Sequence, residues 1–198
     1  METILATSPA VALRHILLTY RKLWLLLACC AWQGLAAAAA PSPESESAVK
    51  AAYLHRIVGL VEWPPGSFQA PDAPLVIAVA GNEAVADDLE QFAATGRGVR
   101  GRPLVVRRLR EGDAPMGAHV LLVGADRESR VRELASSSGP LLVVTEQENG
   151  HRLGGVLNFV IVGGRVRFTA SLPQADARGL RLSARLLEVA QAVEGRSR

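Results

Sequence analysis

Three apolar runs of strand length, Leu75–Ala80, Val120–Val123 and Leu141–Val144, constrain the fold of this chain more than any other feature. Leu75–Ala80 carries no polar residue, and a strand without a polar face has to be covered on both sides. Helical patterns fill the intervals. Asn82 stands where an N-cap belongs, after which Val85, Leu89 and Phe92 share one helical face. A polar helix is expected around Asp126–Ser136, and a further strand at Pro103–Leu109 after the glycine-rich loop Gly96–Gly101. Strands alternating with helices argue for a parallel sheet with right-handed crossovers.

Towards the end the pattern changes. Val156–Val162 and Arg165–Thr169 flank Gly163-Gly164, a pairing that predicts a β-hairpin. Pro173 suits the first turn of a short helix ending near Gly179. Ser183 can cap a last helix with Leu186, Val189, Ala190 and Val193 on one face. The predicted fold class is therefore α/β: a single domain of three layers, Rossmann-like, with a mostly parallel sheet flanked by helices and a C-terminal antiparallel β-hairpin.

The first 40 residues read as a leader. Arg14, Arg21 and Lys22 precede the apolar stretch Leu23–Trp32, and Ala36–Ala40 offers small residues for cleavage. Pro41 disfavours a cut at Ala40, so cleavage is expected after Ala38 or Ala39. The chain then divides into a signal peptide (1–39), a proline-spaced linker (40–47) and an α/β domain (48–195). The competing reading is a membrane or lipid anchor, since Leu26-Leu27-Ala28-Cys29 resembles a lipobox. Both cysteines, Cys29 and Cys30, fall in the leader, which leaves the exported domain without a thiol or a disulfide.

The whole chain has 22 basic and 19 acidic side chains. Arg14, Arg21, Lys22 and Glu2 leave with the leader, so the domain is close to neutral. That balance is a poor counterion for a polyphosphate, and nucleic acid is excluded as a partner. The arginines between Arg97 and Arg110 lack the interleaved aromatics of a nucleic-acid module and read as charge guarding a strand edge.

Catalytic motifs are missing. Gly81 follows a strand and precedes a helix, but Gly81–Ala86 has too few glycines for a phosphate fingerprint, and Glu83, Asp87 and Asp88 bring the wrong charge. His55, His119 and His151 fall in unrelated elements with no metal-binding spacing. No metal, no cofactor and no enzymatic activity is expected. Asn158, in an apolar strand, needs a structural hydrogen bond. Arg178, Arg181 and Arg185 lie near the chain end, and Arg181 with Arg185 could present guanidinium groups to a small anion or a partner carboxylate.

The segment Ala51–Pro64 predicts a helix that Trp63-Pro64-Pro65 stops. Tyr53, Ile57, Leu60 and Val61 make one apolar face, and Leu54 and Val58 widen it. Lys50, His55, Arg56 and Glu62 are left for water. So broad an apolar surface suggests that part of it meets a partner, with Leu54 and Val58 outward and Trp63 and Phe68 as anchors held by prolines. The bland alternatives make the helix a buried core helix and this corner a lid on the core.

A tyrosine-bearing apolar helix closing on Glu62-Trp63-Pro64 resembles the opening of the YfiR-like family of small periplasmic proteins. Pro74–Gly81, Gly101–Leu109, Ala118–Val123, Gly154–Phe159, Arg165–Phe168 and Gly179–Leu187 are similar to its later segments, in order. The resemblance implies a periplasmic repressor that binds the periplasmic part of an inner-membrane diguanylate cyclase and so lowers cyclic-di-GMP and biofilm output. It also implies sequestration by an outer-membrane lipoprotein, and a homodimer. Relatives look to carry paired cysteines, one where Ala118 stands, so redox control through such pairs is not expected here. The rival reading is a periplasmic small-ligand binding or transport accessory protein.

Overall fold

The computed structural model describes residues 45–195, apart from 97, 137 and 138. The proposed signal peptide and most of the linker lie outside the described residues. The chain opens on α1 (Glu46–Val58), with Ser45 as N-cap: its hydroxyl accepts from the Ala48 amide at 3.2 Å. Glu46 and Ser47, expected in the linker, are already helical because this cap acts two residues earlier.

The helix also ends sooner than predicted. It stops at Val58, well before the prolines, and Val61–Glu62 forms a short strand, β1. A tertiary partner explains the difference. β1 pairs antiparallel with β8 (Arg181–Leu182) near the other end of the chain, and the Ser183 amide donates to the Leu60 carbonyl at 3.1 Å. Those sheet bonds replace the last helical turn.

The main sheet contains every strand predicted from the sequence and one that was not, Ala192–Glu194. Its strands are β2 (Leu75–Ala80), β3 (Leu104–Arg108), β4 (Val120–Val123), β5 (Leu142–Thr145), β6 (Leu157–Val162), β7 (Arg165–Ser171) and β9 (Ala192–Glu194). They lie in the order β3-β2-β4-β5-β6-β7-β9. All neighbours from β3 to β6 are parallel, and the β6–β7 hairpin is antiparallel, with Phe159 opposite Phe168. Both glycines of its turn, Gly163 and Gly164, have positive φ, at 56° and 71°.

Alternate residues of the central strands feed two separate cores. Ile77, Val79, Val120, Leu122, Leu142 and Val144 face α1 and α2 (Glu83–Ala94). Ala78, Ala80, Leu121, Val123 and Val143 face α3 (Glu128–Ala135), through Val131 and Leu134. Helices thus cover both faces, which is why these runs contain no polar alternation. Asn82 caps α2, its Oδ1 accepting from the Val85 amide at 3.1 Å.

The end of the chain departs from the prediction. α4 (Leu172–Ala177) is followed by β8, then by α5 (Ala184–Val189) with Ser183 as its cap. In place of a longer helix, Ala192–Glu194 joins β7 in parallel, Val193 opposite Ala170. Val189 is exposed and Val193 lies on a strand, so they form no common helical face with Leu186. The outer edge of β7 offers unpaired amides, and sheet bonding to it outweighs another helical turn.

Candidate functional site, an aromatic corner

Trp63 leaves β1 directly into Pro64-Pro65-Gly66-Ser67. The Ser67 amide donates to the Pro64 carbonyl at 3.2 Å and its hydroxyl to the same oxygen at 2.7 Å. Proline second and a glycine third at φ +83° are what a type II turn requires. The turn folds Phe68 back against Trp63, with ring centres 6.0 Å apart at 77°.

Two residues distant in sequence complete the corner. His119 stacks on Phe68 at 4.3 Å and 12°, and meets Trp63 edge to face at 5.9 Å. The guanidinium carbon of Arg102 lies 3.8 Å from the Phe68 ring centre. Two flat groups this close cannot share one face, so Phe68 is held between His119 and Arg102. Arg102 also donates from Nη1 to the carbonyls of Ala70 and Ala73, both at 2.9 Å, and so clasps the loop after Phe68.

The environment determines the protonation of His119. Its Nδ1 lies 3.1 Å from the Val76 amide, which can only donate, so Nδ1 accepts and Nε2 carries the proton. Nε2 then donates to the Ser67 carbonyl at 3.0 Å. Burial holds the imidazole below the ordinary histidine range, the Ser67 bond pulls the other way, and the Arg102 charge adds to the lowering.

A cleft of about 640 Å³ opens beside this cluster, lined by Trp63, Pro64, Phe68, Pro71, Val99 and Arg102 among others. Its size falls in the range of small-molecule sites, and its rigid aromatics suit an interface anchor equally.

The predicted site residues divide. Trp63 and Phe68 are brought together, each partly buried against the core. Leu54 and Val58 are not outward: they are 0% and 1% exposed. The surplus apolar surface of α1 is taken up by its own chain. Tyr53 on one flank meets Phe168 at 5.8 Å, His55 on the other stacks on Phe92 of α2 at 5.4 Å, and Leu54 lies in the arc between them. At about 100° per residue, three consecutive positions span more than half of a helix, so α1 is wedged and not half-solvated.

The three C-terminal arginines are also dispersed. Arg178 is half-buried and donates to the Ala135 carbonyl, bracing α4 against the end of α3; burial lowers its pKa. Arg181 and Arg185 are exposed on two different elements, β8 and α5, and do not share a side of one.

A second place of chemical interest lies at the carboxyl ends of the parallel strands, where such sheets bind ligands. Here the chain's own groups meet one another beside clefts of about 340 Å³, lined by Lys50 and Glu146, and about 480 Å³, lined by Ala80 and Gly81. A Cβ on Gly124 would stand 2.2 Å from the Gly81 carbonyl oxygen, so these two backbones touch. The Asn82 amide donates to both Glu146 oxygens, at 3.0 and 3.1 Å. Lys50, predicted to meet water, is 8% exposed and bonds Glu146 at 3.1 Å and Glu46 at 2.6 Å. Among the described residues no group of three histidine, cysteine, aspartate or glutamate side chains could hold a metal.

The remaining polar predictions have structural partners. Asn158 Oδ1 accepts from the Thr145 hydroxyl at 2.8 Å. His151 bridges the Gly155 carbonyl and the Thr169 hydroxyl, each at 2.8 Å. Arg108, on the edge strand β3, meets Glu83, Asp87 and Glu90 of α2 at 2.6 to 2.8 Å. Arg107 donates to the Met116 carbonyl at 2.6 Å. Sequence reasoning missed His119 and Arg102 as parts of the corner, because separations as long as 52 residues carry no local signal.

The family model described as YfiR/HmsC-like matches residues 47–191, which include the whole corner. Comparison with curated proteins finds no match. Among the described residues no helix is long and apolar enough to cross a membrane.

Proposed function

The chain belongs to the YfiR/HmsC-like family, and on that footing we propose that it represses an inner-membrane diguanylate cyclase by binding the cyclase's periplasmic part through the Trp63–Phe68 corner. The family is one of periplasmic regulators in cyclic-di-GMP signalling, regulatory rather than catalytic, and membership supports a role of that general kind. The observation that supports the finer reading is the corner itself. It presents two aromatic rings, pre-set by a proline turn and clamped by His119 and Arg102, beside an open cleft. Rings already ordered lose little entropy on contact, which favours them as anchors. Repression then works as a population shift, the protein binding the inactive sensor state better than the active one. Sequestration by an outer-membrane lipoprotein and a homodimer belong to the same proposal.

Trp63→Ala and Phe68→Ala are expected to weaken association with the periplasmic part of a cyclase encoded beside this gene. The loss should reach about 2 kcal/mol, roughly thirtyfold in Kd. Unfolding free energies are measured in parallel. If both variants lose about 3–5 kcal/mol of stability and bind normally when folded, the corner is a lid on the core. A transporter or receptor gene as neighbour, with a small molecule saturating the cleft, would favour the ligand-binding alternative.

Export is the premise of this reading. N-terminal sequencing of protein from the periplasmic fraction is expected to start between Ala39 and Pro41. Lipid on Cys29, or the uncut chain in the membrane, would overturn it.

A further inference from the structure

We propose that His119 is an acid-sensitive latch on the aromatic corner: uptake of a second proton breaks its bond from the Val76 amide and loosens the Pro64–Phe68 turn from the domain, changing the surface offered to a partner. The consequence for binding rests on the corner being the partner surface; the opening itself does not.

The geometry makes closure incompatible with the imidazolium. Nδ1 is saturated by a backbone N–H, so a proton placed there would point at another proton. The amide cannot turn away, since Val76 is paired within β2 to Val105 of β3. The ring must therefore move, and it cannot move without losing its stack on Phe68 and its bond to Ser67. Those two contacts, with the Arg102 clasp at Ala70 and Ala73, tie the loop to the domain.

Nothing nearby would compensate the new charge. The loop gives His119 the Ser67 carbonyl and two aromatic rings, and β2 gives it an amide donor. On its remaining side lie Pro115–Ala118 and Gly139–Leu141, which contain no titratable side chain. The charged group facing the ring is Arg102, across Phe68, and this cation opposes an imidazolium. Asp72, the one carboxylate of the Pro64–Ala73 loop, is exposed to solvent.

Linkage bounds the effect. If the open corner leaves His119 at its ordinary value near 6.5, each unit by which the closed corner lies lower changes the closed-to-open ratio tenfold in acid. The sign is that of a depressed group. Closure is fully favoured above pH 6.5 and is lost as the pH falls through the closed-state value.

Trp63 is the last tryptophan of the chain, so the full chain carrying Trp24→Phe and Trp32→Phe, recovered as cells process it, has a single emitter in the corner. Acrylamide quenching of Trp63 is expected to rise in one one-proton step between pH 7.5 and 4.5, with its midpoint below 6.5. His119→Gln, whose amide can satisfy both backbone partners without titrating, should remove the step. Flat quenching in the parent, or a step that survives in His119→Gln, overturns the latch. Should His119→Gln fail to fold, side-chain NMR of the parent decides: an Nε2–H tautomer titrating below 6.5 supports the latch, and an Nδ1–H tautomer or a midpoint at or above 6.5 overturns it. Binding to the cyclase fragment at pH 7.5, where the latch is shut, tests the partner surface separately, so the two readings fail independently.

Discussion

Leu54→Ala is expected to cost about 2–5 kcal/mol of folding free energy and to leave association per folded molecule unchanged. The residue is fully buried at the centre of the arc that α1 presents inward, with the Tyr53–Phe168 contact on one flank and the His55–Phe92 stack on the other. Both flanks hold the helix in place, so the site cannot collapse to fill the missing methyl groups. That rigidity places the cost towards the upper part of the range. Urea unfolding monitored by circular dichroism gives the loss directly, and binding is compared at equal folded concentration. A variant losing less than about 1 kcal/mol while failing to bind would return Leu54 to the surface and undo the account of α1 given above. The contrast with Trp63→Ala separates the two halves of the opening segment. The helix is core, whereas the turn after it is the surface proposed to meet a partner.

The parts of the fold legible in the sequence are those in which local pattern and tertiary need agree. Leu75–Ala80 and Val120–Val123 are apolar throughout because helices cover both faces of the strands, and that signal requires no knowledge of distant residues. Asn82 caps α2, and Gly163-Gly164 turns the hairpin, through purely local chemistry. Prediction failed where a distant segment competes with the local preference. Val61–Glu62 gives up its helical bonds for Arg181–Leu182, and Ala192–Glu194 does so for β7. The candidate site was half visible for the same reason. Trp63 and Phe68 stand in one proline-rich segment, whereas His119 and Arg102 reach Phe68 only through the stacking order of β3, β2 and β4. The breadth of apolar surface on α1 was read correctly, but sequence alone does not tell a partner from the chain's own α2.

Breaking the Lys50–Glu146 pair from one side is expected to cost more than neutralising it from both. Glu146→Ala should cost about 3–5 kcal/mol, the usual penalty for leaving one charge of a buried pair behind. It leaves Lys50, 8% exposed, with only the solvent-side Glu46, and it takes both acceptor oxygens from the Asn82 amide that helps to hold the cap of α2. Lys50→Met leaves Glu146 with Asn82 alone. In Lys50→Met combined with Glu146→Gln no buried charge remains, and the carbonyl of the introduced amide can still accept from Asn82. The double variant should therefore lose clearly less than Lys50→Met and Glu146→Gln, each measured singly, lose in sum. A double variant that shows the full sum would mean that the two side chains act independently. The pH dependence supplies a second test. Burial lowers the pKa of Lys50, but its bonds to Glu46 and Glu146 together outweigh this and leave it raised above 10.5. A raised lysine stabilises the fold fully below 10.5, and that contribution is lost as the pH rises through the folded value. Lys50 is the only lysine after Lys22, so the alkaline fall in Tm that Lys50→Met removes is assigned to one side chain. The pair sits where α1 crosses the carboxyl ends of the strands, the place a doubly wound sheet ordinarily keeps for a ligand. Filling that place with an internal ion pair anchors α1, and α1 in turn carries the chain into the aromatic corner.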